Sequence, residues 1–115
     1  MKQTVVFDFD GVIHSYTSGW KGCAVIPDPP VPGIKDAIDQ IRSAGYEVVV
    51  VSTRCAYVQG HGAVRAWLLD HEITVDDVRM EKPPAIVYID DRAICFDGKP
   101  DELLTKIQTF KPWNK

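Results

Sequence analysis

Apolar positions along the chain follow two rhythms. Unbroken runs occur at Val5-Val6-Phe7, at Val48-Val49-Val50-Val51 and at Ala85-Ile86-Val87-Tyr88-Ile89. Short β-branched runs of this kind mark strands buried on both faces, as in a parallel sheet. Between the first two runs, Ile34, Ala37, Ile38 and Ile41 recur at i, i+3, i+4 and i+7 with Lys35, Asp36, Asp39, Gln40 and Arg42 opposite, which predicts a helix that Gly45 stops. Ala63, Val64, Trp67 and Leu68 predict a second helix from Gln59 or Gly62 to His71, and Leu103, Leu104 and Ile107 a third within Asp101 to Phe110. Strand and helix in alternation predict an α/β domain with right-handed crossovers: three layers, Rossmann-like, around a mainly parallel central sheet.

Some stretches do not fit that alternation. Val12 to Pro32 holds Gly19, Gly22, Pro27, Pro29, Pro30 and Pro32, too many breakers for a helix. A loop so long in so small a domain is expected to be functional, a flap near the site, or else to fold Tyr16 and Trp20 back on the core. Val78-Arg79-Met80 reads as a short edge strand, yet too few residues separate Met80 from Ile86 for a helical crossover. Either that strand is vestigial or a helix is missing. Ala93 to Phe96 reads as a final edge strand, and residues 111–115 as a frayed end.

Length and composition narrow the class. The 115 residues suffice for one domain (1–115) and one core. With 45% hydrophobic and 25% charged residues, neither a disordered nor a membrane protein is favoured, and a net charge of −3 gives no general attraction to nucleic acid or anionic lipid. Cys23, Cys55 and Cys95 are odd in number and lack metal-ligand spacing, so buried free thiols are expected rather than disulfides or zinc. Met1 to Thr4 runs straight into the first strand and leaves no room for a signal sequence, and no apolar span reaches membrane length, so a cytoplasmic setting is expected.

The chemistry gathers at strand ends. The first strand ends in Asp8-Phe9-Asp10-Gly11, the second in Ser52-Thr53-Arg54, and the third in Asp90-Asp91, with Lys82 just before it. Asp8 and Asp10, two apart on a strand, point the same way, and such a pair needs a cation or a shared proton. In an open parallel sheet these groups converge on one edge, where ligands bind. An isolated Asp-x-Asp is usually an acidic turn, and Ser or Thr at a strand end is usually a helix cap. Three strands each ending in residue types that hold Mg²⁺ and phosphate outweigh both readings. His14, with no second histidine at ligand spacing, reads as a loop residue near substrate.

With these residues in place the chain resembles the haloacid dehalogenase-like hydrolases, a superfamily dominated by Mg²⁺-dependent phosphatases on a Rossmann-like fold. Phe7-Asp8-Phe9-Asp10-Gly11-Val12 is similar to the family's first motif, Ser52 after Val48 to Val51 to the second, Lys82 to the third, and Ile89-Asp90-Asp91-Arg92-Ala93 to the fourth. The resemblance implies that Asp8 is the nucleophile that becomes an aspartyl-phosphate and Asp10 the general acid and base. It implies Mg²⁺ held by Asp8, the main-chain carbonyl of Asp10, Asp90 and, directly or through water, Asp91. Ser52 and Lys82 would bind phosphoryl oxygens, with Thr53 competing for the role of Ser52 and Arg54 a further phosphate or substrate contact. Family members with a cap insert a domain that this chain lacks. The resemblance then implies an open site, which suits a large phosphorylated substrate such as a nucleic-acid end or phosphoprotein, or else a site closed by a neighbouring subunit of a homo-oligomer; a nucleotide is a further candidate substrate.

Two other classes share parts of this pattern. A phospho-acceptor module like the response-regulator receivers also combines an acidic pocket, a hydroxyl and a lysine, but its acceptor Asp lies on a later strand, where this chain has Ser52. A catalytically quiet module would keep the fold without the complete set of carboxylates present here.

Overall fold

A computed structural model describes residues 1–114. Four strands, β1 (Thr4–Asp8), β2 (Glu47–Val51), β3 (Asp77–Arg79) and β4 (Val87–Ile89), form one sheet in the order β3-β2-β1-β4. All pairings are parallel, with Phe7 opposite Val50 on one side and Ile89 on the other. The helices are α1 (Ile34–Ser43), α2 (Val58–Asp70) and α3 (Leu103–Thr109), with 3-10 turns at Thr53–Ala56 and Pro100–Glu102. This is an α/β, Rossmann-like arrangement, and it brings the carboxyl ends of β1, β2 and β4 side by side.

The helices form where the periodicity puts them. Gly45, at φ 100°, lets its own N–H reach the Arg42 carbonyl and that of Tyr46 reach Ile41, closing α1 in a Schellman pattern. Helix α2 starts at Val58, ahead of both expected starts, because Gly60 lets the helix lie against the preceding turn; a Cβ there would overlap the Arg54 carbonyl.

The three expected layers are not all built. Ile38 of α1 and Val64, Trp67 and Leu68 of α2 pack in one cluster with Val5, Phe7, Val48, Val50 and Val78, a single face of the sheet. On the other face Val6, Val49 and Val51 gather with Ala85 alone, and α3 has no buried residue. The reason lies in the link between β3 and β4, which occupy opposite edges of the sheet. Three strand spacings, about 14 Å, separate them, and residues 80–86 in extended form can reach about 23 Å. The extended chain crosses in place of a helix, so β3 is a genuine strand and the crossover helix is the missing element.

Two further expectations are corrected. Ala93 to Phe96 forms no strand, and β4, with Val87 and Tyr88 exposed, is itself the edge. The C-terminal segment does not fray up to Asn114: the Trp113 indole N–H donates to the Gly11 carbonyl at 2.7 Å and the Asn114 amide to the Ser15 carbonyl at 3.5 Å. Lys115 lies outside the described residues. No helix among the described residues is long and apolar enough to cross a membrane.

Candidate active site

Strand β1 is buried along Val5, Val6 and Phe7 and delivers Asp8 at its end. The chain then turns sharply: the N–H groups of Ile13 and His14 both donate to the Phe9 carbonyl, and that of Gly11 to the His14 carbonyl. Gly11 sits at φ 84°, and a Cβ there would overlap the Asp91 carboxylate. Only glycine satisfies both conditions. We expect Gly11→Ala to keep the fold while displacing Asp91, so that Mg²⁺ affinity measured by calorimetry falls about 10- to 100-fold, the usual scale for disturbing a ligand's support; unchanged affinity would separate this turn from the cation site.

Asp8, Asp90 and Asp91 each present a carboxylate oxygen, all within 4.8 Å of one another. Burial, followed by the nearness of Asp90 and Asp91, pushes the Asp8 carboxyl up to about 8. Burial raises Asp90 as well, but the Arg92 N–H at 2.9 Å and the Lys82 ammonium at 3.3 Å outweigh it and hold Asp90 below the ordinary range. Crowded hard-oxygen donors, one of them raised by burial and by its acidic neighbours, fit Mg²⁺. The Asp10 carboxylate is not in this group.

The pH consequence has a definite sign. In the folded chain Asp8 holds a proton up to about pH 8, where the unfolded carboxyl, with its ordinary value of 3.8, has already lost it. Stability contributed by that proton is present below about pH 4 and is lost as pH rises through 8. The carboxyls held low, Asp10, Asp28, Asp76, Asp90 and Asp97, act in the opposite sense and below that window. We therefore expect the melting temperature without divalent cations to fall between about pH 5 and pH 8.5, and Asp8→Asn to flatten the slope. Mg²⁺ should raise the melting temperature more at the higher pH. A level wild-type profile would contradict this assignment.

Asp10 has a different environment, although it lies two residues from Asp8. Arg54 grips both of its oxygens, Nε to Oδ2 at 2.9 Å and Nη2 to Oδ1 at 3.1 Å, and His14 Nδ1 lies 2.8 Å from Oδ1. His14 Nε2 accepts the Asp28 N–H at 3.1 Å, so the ring proton is on Nδ1 and is donated to Asp10. Burial raises the Asp10 carboxyl, but the bonds from His14 and Arg54, with the charge of Arg54, bring it below the ordinary range. The two aspartates line one cavity but differ in their partners: Asp8 lies beside Asp90 and Asp91, and Asp10 beside a guanidinium.

Arg54 is 0% exposed. Beyond Asp10, its Nη1 donates to the carbonyls of Gly22, Cys23 and Val25 at 2.8–3.1 Å. All three guanidinium nitrogens have partners, so the residue expected to contact phosphate clamps Asp10 to the 12–32 loop. His14, also 0% exposed, is the residue whose part was missed. Its spacing of four from Asp10 was visible, but only the turn at Gly11 makes that spacing a contact.

Ser52 is buried, and its Oγ accepts the Arg54 N–H at 3.1 Å, capping the 3-10 turn. One acceptor position is used; the hydroxyl proton stays available. Ser52 and the exposed Thr53 line the same cavity of about 200 Å³ as Asp8, Asp10 and Asp91. Lys82 is half exposed and reaches Asp90 from the crossing segment. Larger cavities elsewhere, such as that of about 560 Å³ between Ile94, Ile107 and Phe110, hold none of these groups.

Fold and site together define a Rossmann-like α/β protein with an acidic pocket at the carboxyl ends of its parallel strands. No family model matches the sequence, and no curated protein does. Among solved structures the chain is similar to a chain in the structure of the Pnkp1/Rnl/Hen1 complex, at 14% identity and TM-score 0.58 over 98% of this chain and 36% of that one. It is also similar to a chain in the structure of the Pnkp1/Rnl/Hen1 RNA repair complex, at 17% identity and TM-score 0.50 over 92% of this chain and 30% of that one. The chain spans about a third of the length of these solved chains. At such identities the likeness is one of fold.

Proposed function

We propose that this chain is a Mg²⁺-dependent phosphoester hydrolase that works through an aspartyl-phosphate on Asp8, with Asp10 moving the proton. The observation that carries the reading is the Asp8, Asp90 and Asp91 cluster, raised in pKa at Asp8 and opening on a cavity that also holds Asp10 and the Ser52 hydroxyl. Mg²⁺, held by Asp8, Asp90 and Asp91, would draw off negative charge from the phosphate and from the nucleophile.

The chain's own residues would do the rest. Asp8 ionises when its neighbours' charge is compensated, and an oxygen of its carboxylate attacks phosphorus. Ser52 donates its hydroxyl proton to a phosphoryl oxygen, and Lys82 swings from Asp90 to another. Arg54 and His14 keep Asp10 in its ionised form, ready to take a proton from the water that hydrolyses the acyl phosphate. Its earlier duty, protonating the leaving oxygen, requires a neutral carboxyl, which the approach of a phosphate dianion favours by raising the Asp10 pKa.

Between β1 and β2 lie only the 12–32 loop and α1, so no domain is inserted between these two strands. An open site suits a substrate larger than the cavity. The likeness of fold to chains of an RNA repair complex supports a phosphorylated nucleic-acid end as that substrate. Phosphate release from an aryl phosphate, with and without Mg²⁺, tests the proposal: turnover should require the cation, and turnover indifferent to chelation would overturn it.

A further inference from the structure

Two aromatic side chains of the 12–32 loop take no part in the chemistry above. Tyr16 and Trp20 line the same cavity as Asp8, Asp10 and Thr53. Sites that enclose a whole small molecule run to about 300–1,000 Å³. At about 200 Å³ this cavity admits a phosphoryl group and leaves the remainder of a substrate at its mouth. Trp20 stands there.

The indole is fixed without being buried. Trp20 is 54% exposed, yet its ring lies 4.6 Å from the Arg54 guanidinium carbon. That guanidinium is immobilised by Asp10 and by the carbonyls of Gly22, Cys23 and Val25. One face of Trp20 is therefore tied to the group that holds the proton carrier, and the ring remains half open to solvent. Tyr16 takes the left-handed conformation, φ 61°, which a tyrosine adopts only at a cost. The turn closes through the Gly19 N–H on the Tyr16 carbonyl at 3.1 Å, and the ring meets His14 edge-on at 5.9 Å. Strain of this kind, beside reacting groups, is maintained where placement of the side chain matters.

We infer that Trp20, with Tyr16, is a stacking platform for the leaving group, and that the leaving group carries a nucleobase. An indole held on one face by a cation and open to solvent on the other is a preorganised flat surface on which a base can stack. The exposed Arg92 on the cavity wall offers a second cation where a following phosphodiester would run. A sugar phosphate or a phosphoserine has no flat face for the indole, and a phosphotyrosine has no anionic backbone for Arg92. Trp20 is thus a specificity-determining residue for the phosphatase reading, on which this inference rests.

The test compares an oligonucleotide bearing a terminal phosphate beside a base with the same oligonucleotide made abasic at that terminal unit. Nucleoside monophosphates and the matching sugar phosphates form a second arm. With the full chain, the base should lower KM about 10- to 100-fold, the scale of one stacked base. Trp20→Ala should collapse that preference, and Trp20→Phe should restore most of it. A larger base effect on the oligonucleotide assigns a strand end; an equal effect assigns a free nucleotide. Equal kcat/KM with and without the base, or a phosphotyrosyl peptide preferred with the same Trp20 dependence, overturns the platform. Calorimetry on the Asp8→Asn chain separates the two failures. Base-dependent binding where the wild type shows no turnover removes the hydrolase and leaves the platform, whereas turnover without base dependence removes only the platform.

Discussion

Asp8→Asn should lower phosphomonoester turnover on the order of 10⁴- to 10⁶-fold, the scale on which loss of a covalent nucleophile is felt. The amide cannot form the acyl phosphate, and Asp90 and Asp91 lose their partner in the proposed Mg²⁺ site. The same substitution should leave the fold intact and, without Mg²⁺ at about pH 8, should raise the melting temperature, because it removes one of three crowded carboxyls. Opposite signs on activity and stability set a functional group apart from a structural one. Steady-state kinetics and thermal melts on one preparation provide both readouts. An Asp8→Asn chain that turns over within tenfold of wild type would remove Asp8 from the chemistry.

Replacing Arg54 by Met has the second-largest expected effect, and it falls first on structure. The side chain is fully buried and satisfies both oxygens of Asp10 and three carbonyls of the loop. Removing one partner of a buried ion pair costs about 3–5 kcal/mol, chiefly because the remaining charge loses its compensation. The 12–32 loop should come away from Asp10, visible as faster amide exchange at Gly22 to Val25, and the Asp10 pKa should rise. Lysine would supply a charge but not the planar fork, so Arg54→Lys should recover only part of the loss. Adding Asp10→Asn to Arg54→Met should cost less stability than the sum of the two single changes, since the uncompensated carboxylate is then gone. Strict additivity in chemical denaturation would show that the two residues do not act as a pair.

These two residues also mark how much of the molecule is legible in its sequence. The gathering of Asp8 with Asp90 is readable because each ends an apolar run, as Ser52 does, and parallel strands bring such ends to one edge. The parallel sheet follows from the same runs. The part played by Arg54 is not readable, because it depends on the path of a loop more than 20 residues away that no periodicity describes. Ser52-Thr53-Arg54 read alone offers a guanidinium at a ligand-binding edge; the fold turns it inward to three carbonyls. The β3 to β4 link deceives for a related reason. A helical crossover is the usual parallel connection, but an extended segment suffices when the face it covers is as small as Val6, Val49 and Val51. The docking of Trp113 on Gly11 likewise joins residues far apart in the chain through one backbone carbonyl, a contact that leaves no pattern in either segment.

The proposed function rests on a division of labour between two aspartates in one turn, with Asp8 attacking phosphorus and Asp10 handling the proton. That division is tested most directly by acid-quenching the Asp10→Asn chain during turnover with Mg²⁺ and an aryl phosphate, whose leaving group departs without a proton, reducing it with borohydride, and reading residue 8 by mass spectrometry. Reduction converts an aspartyl-phosphate to homoserine. With its hydrolysis slowed by loss of the base, homoserine should accumulate at position 8 and nowhere else. Aspartate left intact at position 8, in a chain that still releases phosphate, would contradict it.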